Sequence, residues 1–469
     1  MSFLDRSHSV AGPNYSRWLV PPAALAIHLC IGQIYAYSVF KTPMGQLLGV
    51  SEAAAGDWSQ TSLSLIFTIA LFMLGASAAL FGKWLERVGP RQAMFVSACC
   101  FAGGFVVAAL GVAWHQLWLV YLGNGLIGGV GLGLGYISPV STLIKWFPDR
   151  PGMATGMAIM GFGGGAMIAS PLSLLLMERF ATPSALGVAP TFITLAVIYF
   201  LVMMFGVFTV RVPPEGWQPA GYTPPTIAKK LVTTAQVDAD SAIRTPQFWL
   251  LFIMLCFNVT AGIGILELAA VMIQDMFSSA TVGSAAVTVA AAGGFVGLLS
   301  LFNMAGRFLW SSVSDVIGRK RTYMIFFALG TMLYILLPRV SQAGSVTLFV
   351  LLTCVILTMY GGGFATIPAY LRDLFGTMQV GAIHGRLLLA WSLAAILGPQ
   401  IVNRLRDAQL AAGVPAARAY DLTMYIMAGL LVIGFICNLL VRPVASKYHF
   451  QSEKARPTAT TAQGSRRQS

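Results

Sequence analysis

Charge is what this 469-residue chain has little of: Asp, Glu, Lys and Arg make up 10% of it, where a soluble domain carries roughly 25%. With 57% hydrophobic residues it cannot clothe a globule in polar side chains, which excludes a water-soluble fold. Metal-ligand spacing is also missing. The six cysteines, Cys30, Cys99, Cys100, Cys256, Cys354 and Cys437, fall in apolar runs, so they are read as packing residues and neither a metal cluster nor a disulfide framework is expected. No H-E-x-x-H, G-x-S-x-G or Cys/His ligand set occurs, so no catalytic residue, no cofactor and no enzyme activity is expected. The glycine runs lack a preceding strand and a following Lys-Ser or Lys-Thr, which excludes a phosphate-binding loop. A net charge of +13 suggests nucleic acid, yet the basic residues are scattered through short loops and a polar tail, so no nucleic-acid partner is expected. The first apolar run, from Trp18, is too long for a signal peptide and has no cleavage pattern, and is read as a retained span.

Long hydrophobic runs are there in their place. About 20 apolar residues cross a hydrocarbon core, and twelve such runs occur, near 17–40, 58–81, 92–113, 117–144, 152–177, 188–210, 247–273, 286–313, 321–338, 344–370, 382–403 and 420–442. The expected fold is all-α and integral to the bilayer, with a segment 1–16, a six-helix bundle 17–210, a linker 211–245, a second bundle 246–442 and a polar, disordered tail 443–469. Placing both termini on one side puts 22 of the 29 basic residues there and six opposite, with Arg307 alone inside a span. By the positive-inside rule the termini and linker are cytoplasmic, in a cytoplasmic (inner) membrane.

The halves echo each other. GKWLERVGPR (82–91) follows the second run and SSVSDVIGRK (311–320) the eighth, each with an acid, a Gly three residues on and then a basic residue. Gly152 and Gly156 after the fourth run are matched by Gly381 and Gly385 after the tenth. A duplicated unit of this kind places a substrate site near the midplane between the repeats. These loops resemble those of the major facilitator superfamily, whose signature runs roughly G-x-x-x-D-R-x-G-R-R. The resemblance implies twelve helices in two pseudo-symmetric six-helix bundles. It assigns Gly82, Glu86, Arg87 and Arg91 of the first copy, and Asp315, Gly318, Arg319 and Lys320 of the second, to gating loops.

Four strings narrow the resemblance to the oxalate:formate antiporter family: GQIYAYSVF (32–40), KWFPDRPGMATG (145–156), RTPQFW (244–249) and FNMAGRFLWSSVSDVIGR (302–319). That family transports small carboxylates, and its characterised member binds a dicarboxylate with an Arg in the eighth helix and a Lys in the eleventh. Arg307 matches the first cation, whereas Trp391 stands where the lysine would be. The resemblance also implies that Tyr35, Tyr136, Tyr360 and Phe364 face the ligand. With one cation, a second carboxylate would lie unpaired in low dielectric at a cost of several kcal/mol. The expected function is therefore alternating-access transport of a monocarboxylate of the formate, lactate or pyruvate class. Oxalate:formate exchange is the alternative, and a non-transporting carboxylate sensor a second one. The partners are a small carboxylate anion, protons and the lipid bilayer, with the monomer as working unit.

Burying Arg307 costs about 2.5–3.5 kcal/mol or more. Two readings are open: its planar fork binds a carboxylate bidentately, or it snorkels to the interface near Asp315, about two helical turns or roughly 12 Å away. Asn303, one turn earlier, either steadies the guanidinium and touches ligand or serves as an inter-helix hydrogen bond. Replacement of the lost lysine by Arg386 is a further alternative to monocarboxylate preference. Glu267 and His28 are the candidate proton carriers. Gly125, Gly129 and Gly133 have the small-xxx-small spacing that lets helices approach closely.

Overall fold

In hydrocarbon a backbone must satisfy its own hydrogen bonds, so each apolar run coils into a helix. The computed structural model describes residues 4–50, 52–222, 231–277 and 287–450, apart from the side chains of residues 267, 289 and 290. Among these residues twelve helices are long and apolar enough to span a bilayer. They are α1 (Arg17–Ala36), α2 (Gln60–Val88), α3 (Pro90–Ala113), α4 (Leu117–Trp146), α5 (Pro151–Phe180), α6 (Val188–Thr209), α7 (Pro246–Met276), α8 (Val289–Ile317), α9 (Arg319–Gln342), α10 (Val346–Phe375), α11 (Val380–Ala411) and α12 (Ala416–Leu440).

Local chemistry sets the helix starts. In RTPQFW, the Thr245 hydroxyl accepts the Phe248 N–H at 3.2 Å and Pro246 takes the first helical position, where its missing N–H costs nothing. Pro90 and Pro151 open α3 and α5 in the same way. The stripe Gly125, Gly129 and Gly133 lies against Ile69, Ala70 and Leu74 of α2, so the small residues of α4 serve close packing.

Helices α1–α6 pack as one bundle and α7–α12 as another, and the bundles meet chiefly where α2 crosses α11 and α5 crosses α8. The first and last described segments lie on one face with the linker: Val212 donates to the Ser9 carbonyl at 2.8 Å, and Phe450 to that of Gln236 at 2.7 Å. The tail is thus tied to the linker as far as Phe450 through a short helical turn, Ser446–Tyr448, where the composition suggests disorder; residues 451–469 lie outside the described residues.

One expectation is corrected. The residues assigned to gating loops are helical: Gly82, Glu86 and Arg87 occupy the end of α2, Asp315 the last turn of α8, and Arg91, Arg319 and Lys320 the first turns of α3 and α9. The connections shrink to Gly89 and Gly318, at φ 88° and 90°, a conformation glycine adopts without strain. Polar residues ended the apolar count, but a helix continues beyond the hydrocarbon until a residue of this kind breaks it.

At the face that carries the termini the bundles are locked together. Glu86 accepts the Gly381 N–H at 3.1 Å, and Asp315 accepts those of Gly152 and Met153 at 2.9 and 2.8 Å. Each acid thereby sits on the first turn of a helix in the opposite bundle, where the helix dipole favours negative charge. Gly152 and Gly156 are small because Ser311 of α8 lies against them, and Gly385 because the Ala78 carbonyl of α2 does. Arg319 braces Asp315 and lies 3.4 Å from Asp373, whereas Lys320 donates to the Leu439 and Val441 carbonyls within its own bundle. Arg91 is buried at the start of α3 and Arg87 is exposed. The linker contributes Asp240, which pairs with Lys83 of one bundle and, at 2.7 Å, with Arg386 of the other.

Candidate functional site

Midway along the bundle interface, α8 turns Arg307 inward. Its side chain is fully buried, so it does not snorkel. Room for it comes from glycines on the facing helices: a Cβ on Gly163 of α5 would lie 2.9 Å from Arg307 Nε, and one on Gly361 of α10 would lie 3.1 Å from its Cγ. Nε donates to Asn303 Oδ1 at 3.3 Å, and Nη1 to the Ile159 carbonyl at 3.4 Å. Nη2 has no hydrogen-bond partner, and no carboxylate pairs with the guanidinium among the described residues. Asn303 therefore steadies the fork across one turn of α8.

Aromatic rings from both bundles enclose this cation. The guanidinium carbon lies 5.7 Å from the Phe162 ring of α5 and 5.2 Å from that of Phe364 of α10, each a cation–π contact of about 0.5–2 kcal/mol. Phe162 also meets Tyr35 at 5.2 Å, Tyr136 at 5.7 Å and Trp391 at 6.1 Å between ring centroids. Phe364 meets Tyr136 at 5.3 Å and Trp391 at 5.6 Å. Tyr360, on α10, has Tyr35, Trp391 and Arg307 as neighbours. The hydroxyl of Tyr136 has no partner among the described residues, whereas that of Tyr360 lies beside the Tyr35 hydroxyl and the Trp391 indole. The result is an apolar box with one fork of donors and three hydroxyls, chemistry suited to a small ligand with one anionic end.

Two six-helix bundles locked by an acid on each other's helices, with Arg307 buried between them, define the architecture, and the profile of the Major Facilitator Superfamily matches residues 23–399 and 296–467. The chain belongs to that superfamily. It is 28% identical over 388 residues to the oxalate:formate antiporter of Oxalobacter formigenes, covering 82% of this chain and 83% of the relative. It is 23% identical to apicoplast pyruvate carrier 1 of Toxoplasma gondii, over 91% and 89% of the two chains. The fold is similar to the solved structure of the E. coli fucose:proton symporter, with a TM-score of 0.63 at 12% identity, covering 90% and 98%. The superfamily is one of transporters and not of enzymes, and the chain is a multi-pass membrane protein.

All seven residues expected at the substrate site, Arg307, Asn303, Tyr35, Tyr136, Tyr360, Phe364 and Trp391, converge on this box. Of the expected proton carriers, His28 packs on Tyr136 at 5.3 Å, whereas the side chain of Glu267 lies outside the described residues. Arg386 points to the linker and not to the box, since it donates to Asp240 and to the Ala239 carbonyl. Three contributors escaped the sequence pattern. Phe162 is a single aromatic within the glycine-rich run GFGGGAM (161–167), which carries no spacing signal of its own. Gly163 has no signal apart from that run. His384 sits two residues before Arg386, which makes the segment look interfacial, yet it is buried and 5.6 Å from Tyr136. Among the described residues no three His, Cys, Asp or Glu side chains converge as metal ligands.

Proposed function

We propose that the chain carries a small monocarboxylate across a cytoplasmic membrane by alternating access, with Arg307 as the carboxylate anchor. The observation that carries this reading is a fully buried guanidinium whose Nη2 has no partner among the described residues. Intramembrane charge is rare and expensive, and an anion that enters, binds and leaves is the partner that repays this site. Trp391 supports the monocarboxylate class: its buried indole closes the box beside Phe364 where a second cation would be needed for a dicarboxylate. The similarity to a pyruvate carrier agrees with this class. The similarity to an oxalate:formate antiporter favours exchange of oxalate and formate as the second reading.

Orientation follows from the sequence: placing both termini on one side assigns 22 of the 29 basic residues to it, and that side is accordingly the cytoplasmic one. The locked bundles at that face then form the closed cytoplasmic gate, and the cycle opens it by parting Glu86 from Gly381 and Asp315 from Gly152. Protein reconstituted in vesicles and offered labelled formate, acetate, lactate, pyruvate and oxalate tests the reading. Saturable uptake of a monocarboxylate that excess oxalate does not inhibit is expected. Uptake of oxalate in exchange for formate selects the second reading, and binding without accumulation selects a sensor.

A further inference from the structure

Two buried imidazoles go unused by the carboxylate reading. His28 on α1 and His384 on α11 belong to different bundles, and both pack on Tyr136 of α4, at 5.3 and 5.6 Å between ring centroids. Neither is more than 1% exposed. A carbonyl oxygen only accepts, so the 2.9 Å contact between His28 Nδ1 and the Ala24 oxygen makes Nδ1 the donor. In the neutral ring that leaves Nε2 as a bare lone pair. Nε2 of His28, Nε2 of His384 and the Tyr136 hydroxyl all lack a hydrogen-bond partner among the described residues. Buried polar atoms without partners are uncommon in folded proteins, and here three of them gather around one ring that also touches Phe162 and Phe364, the two rings against Arg307.

We propose that His28 and His384, joined through Tyr136, bind the proton that accompanies a carboxylate through the carrier, which makes the transport proton-linked symport. The inference rests on the carboxylate reading of Arg307 and adds the coupling ion to it. The surrounding charges support it. On α2, Glu86 is paired with Lys145 of α4, and Lys83 with Asp240. On α11, Arg386 is paired with Asp240; at the end of α10, Arg372 is paired with Asp373. On α7, Asp275 is paired with Arg406, and the Glu267 side chain lies outside the described residues. Helices α1, α6 and α10 add the phenols Tyr35, Tyr199 and Tyr360, and the buried part of α5 carries no Asp, Glu, Lys or Arg. Arg307 of α8, the buried cation against the Phe162 and Phe364 rings, has no acid paired with it among the described residues.

With the box empty, that charge opposes a second positive charge on either imidazole. A bound carboxylate cancels it, and a proton moves from solution onto Nε2 to form an imidazolium. The coupling is reciprocal, so the protonated pair in turn strengthens carboxylate binding; about tenfold is an ordinary scale for linked sites. Because the two histidines ride on opposite bundles, parting the bundles pulls them off their shared ring and frees the proton on the side that opens.

Purified full-length protein in weakly buffered solution at neutral pH, with a pH-indicator dye and pyruvate as the probe, tests this. The wild type should take up close to one proton per pyruvate bound. The double variant His28→Gln/His384→Gln should bind pyruvate with far smaller uptake; in vesicles it should still exchange pyruvate while losing accumulation driven by a pH gradient. Pyruvate binding by the wild type without proton uptake overturns the inference and leaves the carboxylate reading standing. Wild-type uptake in the double variant also overturns it. Absence of pyruvate binding by the wild type sinks the pyruvate reading of the box and this inference with it. If the double variant does not fold, the wild type decides: its pyruvate affinity should fall about tenfold between pH 6 and pH 8, and a flat profile refutes proton linkage.

Discussion

Replacing Arg307 by Lys keeps the charge and removes the fork, which makes it the sharpest perturbation of the box. In the native side chain Nε is engaged by Asn303 at 3.3 Å and Nη1 by the Ile159 carbonyl at 3.4 Å, so the plane is held while Nη2 is free for a ligand. An ammonium is a single point of charge on a flexible stem, with no plane for Asn303 to hold. Losing one charge-assisted hydrogen bond costs about 1.5–3 kcal/mol. The contacts with Phe162 and Phe364 also weaken, each by a fraction of about 0.5–2 kcal/mol. The dissociation constant for pyruvate should therefore rise roughly 10- to 100-fold. Calorimetric binding to the purified variant measures it, with the melting temperature as a check that the fold survives. An affinity within about twofold of wild type, in a protein that melts as wild type does, would refute Arg307 as the anchor.

Other outcomes follow from the same geometry. Trp391→Lys should give oxalate a second cation and make it a competitor of monocarboxylate uptake; no gain in oxalate inhibition would mean that position 391 does not meet the ligand. Gly163→Ala puts a Cβ 2.9 Å from Arg307 Nε and should weaken pyruvate binding several-fold by pushing the guanidinium from its place, which a binding titration reads directly. Asp240→Asn removes a carboxylate shared by Lys83 and Arg386, so the face bearing the termini should open more often, seen as faster thiol labelling of a cysteine placed at Ala382 beside Gly82. The hydrogen bond from Lys83, then that from Arg386, hold the Asp240 carboxyl at about 2. This depressed value means that the latch is complete above the ordinary carboxylate range and lost only as pH falls through about 2, so wild-type labelling should not change between pH 5 and pH 8. Because Asp240 is exposed, high salt should speed labelling in the wild type and leave the variant unchanged.

Much of the architecture is local and therefore legible in the chain itself. A run of about 20 apolar residues must become a helix in hydrocarbon whatever surrounds it. The twelve spans, the two-bundle duplication and the depth of Arg307 follow from that rule and from the repeated acid–Gly–basic pattern. Helix ends are less local. Hydropathy stops where the hydrocarbon does, while α2 and α8 coil on to Gly89 and Gly318, so Glu86 and Asp315 become caps on the opposite bundle and not loop charges. What only the tertiary structure decided is which side chains meet across the interface. Asn303 is the partner of Arg307 Nε because both lie on one inward face of α8, and Gly163 matters because α5 passes within a Cβ's width of it. Phe162, His384 and Asp240 acquire their places from the crossing of helices far apart in the chain. Hydrophobic runs report how each segment meets lipid, one residue at a time; the crossing of two helices depends on the shapes of both, and no single stretch of sequence contains it.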